Sequence, residues 1–170
     1  LNNIGGFSNL ISVGDSIGGN LEISTNSTLS DIDGFSSLTS VAGSMIILTN
    51  SALTNINGFS NLTSIAGGLD IRSNSALTDI DSFSNLASIG LNLDIGFNNA
   101  LANINGLSGL NSHIWNLFIR NNPVLTNIGG LSNLDSVLAN SFIRNNNSLT
   151  NIDGLSGLTY MGGLLDIQNN

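Results

Sequence analysis

The amino-acid sequence repeats every 24 residues, and this period constrains the fold more than any other feature. Counted from a recurring leucine, units begin at residues 1, 29, 53, 77, 101, 125 and 149, with four additional residues in the first unit and two fewer in the last. The unit 53–76, LTNINGFSNLTSIAGGLDIRSNSA, represents the others. A fixed period of this length is typical of solenoids, in which each unit forms one coil and neighbouring coils complete a common core.

Apolar residues recur within each unit at positions 1, 4, 7, 10, 13, 17 and 19. The alternation at positions 17 and 19 predicts a short β-strand. The spacing of three elsewhere, with Gly, Asn and Ser between the apolar residues, favours extended or 3₁₀ segments over an α-helix. The sequence therefore predicts an all-β fold, a parallel β-solenoid of seven coils with little or no α-helix. We expect residues 1–170 to be a single repeat array and a segment of a longer solenoid.

The charge balance excludes some classes of partner. The chain has 11 acidic residues and only three basic ones, all arginine, and its net charge is −8. Nucleic acids and anionic membranes select basic surfaces, so we expect neither as a partner. No apolar run approaches the roughly 20 residues that a spanning helix requires, so we expect no membrane insertion within this segment.

Three columns of polar or small residues repeat with the coils, and we interpret all three as structural. Serine occupies position 8 of every unit, and glycine recurs at position 6, where we expect a backbone corner. Asparagine occupies position 22 of every unit, where its amide can accept a hydrogen bond from one coil and donate to the next. The asparagines of this column are Asn26, Asn50, Asn74, Asn98, Asn122, Asn146 and Asn170.

The pattern LTNINGFSNLTSIAGGLDIRSNSALT (53–78) resembles the receptor L-domain group of leucine-rich-repeat-like solenoids. The resemblance covers the whole chain. It implies a right-handed β-solenoid in an extracellular or cell-surface location that binds or adheres through its surface. The chain differs from the receptor modules of this group because it has no cysteine and therefore lacks their cysteine caps.

Residues suited to catalysis or metal binding are few. The single histidine, His113, takes a position held elsewhere by Ile, Val or Met, so either it is a buried core residue or Ile114 replaces it through a local bulge. Without lysine or cysteine, the chain offers few nucleophiles and bases, and we predict no catalytic residues and no cofactor. Paired aspartates at positions 3 and 5 provide oxygen ligands, but the glycine-rich loops of calcium-binding solenoids are absent, and we predict no metal site.

One column of the predicted sheet changes character along the chain. Positions 18 and 20 alternate with the buried pair and should face solvent. Phenylalanine and arginine occupy them in coils five and six, where other coils carry mostly Asp, Ser or aliphatic residues. Tryptophan also replaces the usual glycine at position 15 of coil five. The predicted binding residues are therefore Trp115, Phe118, Arg120, Phe142 and Arg144.

Trp, Phe and Arg are the residues enriched at interface hot spots, and a contiguous exposed apolar patch marks a contact surface. The leading hypothesis is a non-enzymatic adhesion module that recognises a protein or glycan ligand through this face. The same residues would also serve as cross-strand pairs that only stabilise the sheet, or as a surface covered by another segment.

Two other functions are compatible with the repeat. The units at both ends lack a polar cap, so copies of the chain are expected to stack end to end into a surface filament unless the segment belongs to a longer array. Threonine columns at positions 2 and 11 suggest an ice-binding surface, although Ala102 and Ala87 interrupt them. Of the N-glycosylation sequons, only the one at Asn61 is predicted to be accessible.

Overall fold

The computed structural model describes residues 1–16 and 18–170 and contains fourteen short strands, two in each coil. The first strand of each coil has two residues and the second has four. The short strands are β1 (Ser12–Val13), β3 (Ser40–Val41), β5 (Ser64–Ile65), β7 (Ser88–Ile89), β9 (His113–Ile114), β11 (Ser136–Val137) and β13 (Tyr160–Met161). The long strands are β2 (Leu21–Ser24), β4 (Met45–Leu48), β6 (Leu69–Arg72), β8 (Leu93–Gly96), β10 (Leu117–Arg120), β12 (Ser141–Arg144) and β14 (Leu165–Gln168).

The long strands form one parallel sheet in coil order, from β2 to β14, and each pairs with the strand 24 residues away. The short strands form a four-stranded sheet (β1, β3, β5, β7) and a three-stranded sheet (β9, β11, β13). Helical structure in the described residues is limited to 3₁₀ turns: Asn57–Phe59, Asp81–Asn85, Asn105–Leu107, Gly129–Leu131 and Asp153–Leu155. The predicted all-β class, with parallel strands and one coil per repeat, is confirmed. No helix in the described ranges has the length and hydropathy to cross a bilayer.

The core lies between the sheets and the 3₁₀ corners, where the recurring apolar positions of successive coils stack on each other. Four phenylalanines at position 7 form a continuous stack with ring centroids 5.2, 5.2 and 5.7 Å apart: Phe7, Phe35, Phe59 and Phe83. Leucine continues this column in coils five and six, where Leu107 and Leu131 are fully buried. Each coil thus covers the apolar residues of its neighbour, as the stacking of solenoid repeats requires.

The position 22 asparagines link each coil to the next beneath the surface, and those of coils two to six are fully buried. The Oδ1 atom of Asn122 accepts a hydrogen bond from the backbone N–H of Asn98 at 3.1 Å. Its Nδ2 atom donates to the carbonyl of Ile95 at 3.1 Å. One amide therefore satisfies buried backbone groups of the preceding coil, and the column repeats this arrangement along the solenoid.

From coil two onward, the glycines at position 6 pack closely against the backbone of the preceding coil, whereas Gly6 in coil one has no neighbour within 4 Å of a Cβ position. A Cβ atom on Gly106 would lie 2.0 Å from the carbonyl oxygen of Ile80, and one on Gly130 would lie 1.9 Å from that of Ile104. None of these glycines has a positive φ, so the expected backbone corner is not the reason for the column. Ser82 replaces glycine in coil four, and its buried Oγ has no hydrogen-bond partner.

The left-handed corner of each coil lies instead at position 21, where no glycine occurs. Seven residues there have φ between 53° and 59°: Thr25, Thr49, Ser73, Phe97, Asn121, Asn145 and Asn169. Asparagine tolerates this conformation, whereas threonine and phenylalanine are strained in it. The adjacent asparagine bonds between coils hold the backbone in place, so the first four coils retain the strained residues.

Replacing one strained residue should stabilise the protein. We expect Thr49→Asn to raise the free energy of unfolding by about 1 kcal/mol, because asparagine costs less than threonine at positive φ. Urea denaturation measures the change. Ser51→Asn, at a nearby exposed residue without a positive φ, is the control and should leave the stability unchanged. Equal effects of the two substitutions would show that φ strain at Thr49 is not the cause.

A one-residue shift in coil five decides the position of the histidine. Ile114 pairs with Val137 and is fully buried, whereas His113 pairs with Ser136 and is exposed. Coil five therefore has one extra residue before this strand and one fewer after it. Of the two alternatives predicted for His113, the first is therefore wrong, because the histidine is not a core residue. Ile114 fills the inward position in its place, as the second alternative predicted. The short sheets are divided at the same place, between β7 and β9.

Candidate functional site

Two aromatic rings and two guanidinium groups form a stack on the outward face of the long sheet. Phe118 and Phe142 are paired in register on β10 and β12, with ring centroids 5.5 Å apart and ring planes 21° from parallel. The Cζ atom of Arg120 lies 5.1 Å from the centroid of Phe118, and that of Arg144 lies 4.5 Å from the centroid of Phe142. Cation–π contacts of this kind contribute about 0.5–1 kcal/mol at exposed sites.

The two arginines close this stack at its ends. Arg120 donates to Asp94 in coil four at 2.7 Å, while Phe142 contacts Phe118 from coil six. The arginine and the second ring therefore approach Phe118 from opposite sides. Arg144 reaches in the other direction, to Asp166 in coil seven. Both rings are half-buried, and it is mainly their edges that remain open to a partner.

A second charged group extends the face toward the start of the chain. Asp70 and Asp94 are neighbours on β6 and β8 and would repel each other without a cation between them. Arg72 supplies that cation, since it forms a two-point bond with Asp70 (2.6 and 2.5 Å) and lies 3.6 Å from Asp94. Gly96 leaves the space between Arg72 and Arg120, which lets both guanidinium groups converge on Asp94.

Asp94 is the most enclosed member of this network, with a side chain about 13% exposed. One carboxylate oxygen, Oδ1, is buried and has no hydrogen-bond partner. Burial raises the pKa of Asp94 above its ordinary value of 3.8, although the hydrogen bond from Arg120 opposes this change. The carboxylate therefore carries a desolvation cost at neutral pH that its ion pairs only partly offset.

The desolvation cost of the Asp94 carboxylate predicts that the stability of the protein depends on pH. A carboxyl group with a raised folded-state pKa contributes stability below its ordinary pKa of 3.8 and loses it as the pH rises through the folded pKa. Asp94→Asn removes that loss. The stability of the variant relative to the wild type should therefore increase between about pH 3 and pH 7, as measured by urea denaturation. A relative stability that falls over this range would show that the arginines lower the pKa of Asp94.

An apolar ridge borders the same face at the corner before the long strands. Trp115 is 51% exposed and Leu91 is 49% exposed. Both residues occupy position 15 of their coils, and the backbone hydrogen bonds follow this column. The N–H of Trp115 donates to the carbonyl of Leu91 at 2.8 Å, and the N–H of Leu91 donates to the carbonyl of Gly67 at 3.1 Å. A Cβ atom on Gly67 would lie 2.6 Å from backbone atoms of coil two, and one on Gly163 would lie 2.7 Å from the carbonyl oxygen of Ala139, so the coils with glycine at this corner have no room for a side chain.

A small recess opens beside the Phe118 ring and was not predicted from the sequence. It has a volume of about 270 Å³, with Ile46 and Phe118 as apolar walls and polar groups between them. Gly68 forms part of its lining, in a column where Asn92 and other coils carry polar side chains. The remaining lining residues are Ser44, Leu69, Asp70, Arg72 and Asp94. The missing side chain at Gly68 is visible in the sequence only after the coils are aligned at position 16.

A family model, described as Receptor L domain, matches residues 15–102, which is just over half of the chain. The chain belongs to the Receptor L domain family. No curated protein and no solved structure matches it. The matched region of this Receptor L domain includes all the recess residues except Phe118. The five predicted binding residues, from Trp115 to Arg144, follow in coils that continue the same repeat.

Family membership gives the general function. The Receptor L domain is a ligand-binding domain without enzymatic activity, found in the extracellular regions of cell-surface receptors. The single histidine, His113, is exposed on the short sheet, two residues before Trp115. Binding is therefore the activity that the fold and the face of this Receptor L domain have to explain.

The other candidate residues of this Receptor L domain have local structural roles. Of the paired aspartates at positions 3 and 5, Asp79 accepts a hydrogen bond from the N–H of Asp81. Among the described residues, no three acidic or histidine side chains lie close enough together to hold a metal ion. The threonine hydroxyls mostly donate to carbonyls of the preceding coil, as Thr54 does to Ser30. Asn61 is exposed, and its Nδ2 donates to the carbonyl of Ser36 at 2.7 Å.

Proposed function

We propose that this chain is a non-enzymatic extracellular binding module that recognises a protein or glycan through its aromatic–arginine face, formed by Trp115, Phe118, Arg120, Phe142 and Arg144. The observation that supports this proposal most strongly is the distribution of residue types. The only tryptophan and all three arginines of the chain lie on or beside this one sheet. Asp70, Asp94 and Asp166 pair with these arginines, whereas most of the other carboxylates lie outside this sheet, where the chain has no arginine.

The face is also suited to binding because its side chains are held in place before a ligand arrives. Arg120 and Arg144 are fixed by Asp94 and Asp166 and by the rings beneath them. Ordering a free arginine side chain on binding costs about 0.5–1.5 kcal/mol, and most of that cost is avoided here. Trp115 adds exposed apolar area at the border, which is typical of an interface hot spot.

The experiment is a binding screen against immobilised glycans and purified extracellular protein ectodomains. For any probe that binds the wild type, Trp115→Ala should weaken binding at least about tenfold, the effect expected from loss of one hot-spot residue. Ile11→Ala is the matched control, because Ile11 is 64% exposed and lies next to the short sheet. It should leave the affinity unchanged.

Other outcomes would contradict the proposal. Equal loss in Trp115→Ala and Ile11→Ala would indicate general apolar adhesion without a defined face. Unchanged binding in Trp115→Ala, together with unchanged binding in Phe142→Ala, would place the contact surface elsewhere. Circular dichroism of each variant establishes that the fold is retained, which matters most for Phe142 because its ring is part of the stack.

A further inference from the structure

The recess beside Phe118 has a balanced charge. Its two carboxylates, on Asp70 and Asp94, are matched by the guanidinium groups of Arg72 and Arg120. A charged ligand would therefore gain little net attraction there and would disturb the existing ion pairs. The recess favours a neutral ligand that forms hydrogen bonds.

Donors and acceptors are both available in the recess. The Ser44 hydroxyl accepts the N–H of Gly68 at 3.1 Å, so its own proton remains available. Asn92 lines the same space, and among the described residues its side chain forms a hydrogen bond only through Oδ1, so its Nδ2 group can donate. Asp70 also lines the recess, and its side chain is 23% exposed, so its carboxylate oxygens can accept from a ligand.

The recess is also small and has two apolar walls. A volume of about 270 Å³ lies just below the range of drug-sized pockets, so it accommodates one ring-sized group. Ile46 and Phe118 are three strands apart at opposite ends of the recess, and either one provides apolar surface on which the C–H face of such a ring can lie. Hydroxyl groups both donate and accept hydrogen bonds, and a sugar ring combines them with an apolar C–H face.

We infer that this recess binds one neutral sugar residue of a glycan, between Ile46 and Phe118, with hydroxyls bonded to Asp70, Asn92 and Ser44. This inference rests on the proposed function and specifies its ligand class. A polypeptide fits less well, because extended peptides pair with a free sheet edge and the recess lies over the middle of the long sheet. The backbone groups beneath the recess already pair with neighbouring coils.

The test uses a substitution that fills the recess with the residue type found at the same position elsewhere. Gly68→Asn matches coils four, five and six, where asparagine occupies position 16, and its Cβ would lie 3.0 Å from the carbonyl of Asn92, which a small backbone shift accommodates. Leu164→Asn adds the same side chain to the same column in coil seven, away from the recess. Asp70→Asn removes an acceptor without changing the size of the side chain.

The probes are mannohexaose, cellohexaose and chitohexaose, with a hexamer of galacturonate as the charged comparison, all measured by calorimetric titration. We expect at least one neutral oligosaccharide to bind and both Gly68→Asn and Asp70→Asn to weaken it tenfold or more. Leu164→Asn should leave it unchanged. Loss of binding only in Trp115→Ala would overturn the recess assignment while supporting the proposed face. Failure of all neutral probes, preference for galacturonate, or loss of a polypeptide ligand in Gly68→Asn would also overturn it.

Discussion

Asn122→Ala is expected to lower the free energy of unfolding by about 2–6 kcal/mol, because it leaves two buried backbone groups without their partners at roughly 1–3 kcal/mol each. The N–H of Asn98 loses the acceptor Oδ1, and the carbonyl of Ile95 loses the donor Nδ2. Both residues are fully buried, so water cannot replace the lost bonds in the folded state. Urea denaturation followed by circular dichroism measures the change.

Asn26→Ala is the matched control for this prediction. Asn26 occupies the same column in coil one but is only half-buried, and its side chain donates to Ser24 and Asn50 at an accessible position. Its removal should cost about 1 kcal/mol or less, since water can satisfy the remaining groups. A cost for Asn122→Ala as small as that for Asn26→Ala would show that the buried column does not stabilise the coils.

Gly130→Ala should destabilise the protein by about 3 kcal/mol or more, at the upper end of overpacking substitutions. The new methyl group would lie 1.9 Å from the carbonyl oxygen of Ile104. A backbone oxygen cannot rotate away, so coils five and six would have to separate locally and disturb the 3₁₀ turn Gly129–Leu131. Thermal and urea denaturation measure the loss.

The adjacent glycine provides a sensitive control. A Cβ atom on Gly129 would lie 3.2 Å from the side-chain oxygen of Asn127, which can move, and no backbone atom of another coil is near it. Gly129→Ala should therefore change the stability by less than about 1 kcal/mol. Similar losses at Gly129 and Gly130 would mean that backbone flexibility, and not contact between coils, explains the glycine column.

The fold was predictable from the sequence because a solenoid brings equivalent residues of successive units together. The 24-residue period alone places Phe118 beside Phe142 and Asp70 beside Asp94, and these pairs are in register in the structure. The alternation of apolar residues identifies which side of each strand is buried. Architecture and the outward direction of column 18 therefore follow from spacing, without knowledge of side-chain conformations.

Other features depend on backbone or rotamer geometry that spacing does not determine. The left-handed corner at Thr49 and Phe97 has no glycine to mark it, because hydrogen bonds between coils hold an unfavourable residue there. The shift at His113 conserves the total length of the unit, so the period cannot reveal it. The covering of Phe118 by Arg120 depends on where the arginine finds a carboxylate. The recess depends on an absent side chain at Gly68.

The chain contains no cysteine, so the binding face can be mapped by single-cysteine variants blocked with a bulky maleimide. Cysteines are placed at Ile46, Leu91 and Gln168 around the long sheet and at Ser40, Ser64 and Ser88 on the short sheet. With a probe that binds the wild type, we predict that blocking at Leu91 or Gln168, which adjoin Trp115 and Arg144, reduces the affinity at least about tenfold, while blocking on the short sheet has no effect. Blocking at Ile46 reduces the affinity only for a ligand that enters the recess. Loss of binding on the short sheet, with the long sheet unaffected, would contradict the proposed binding face.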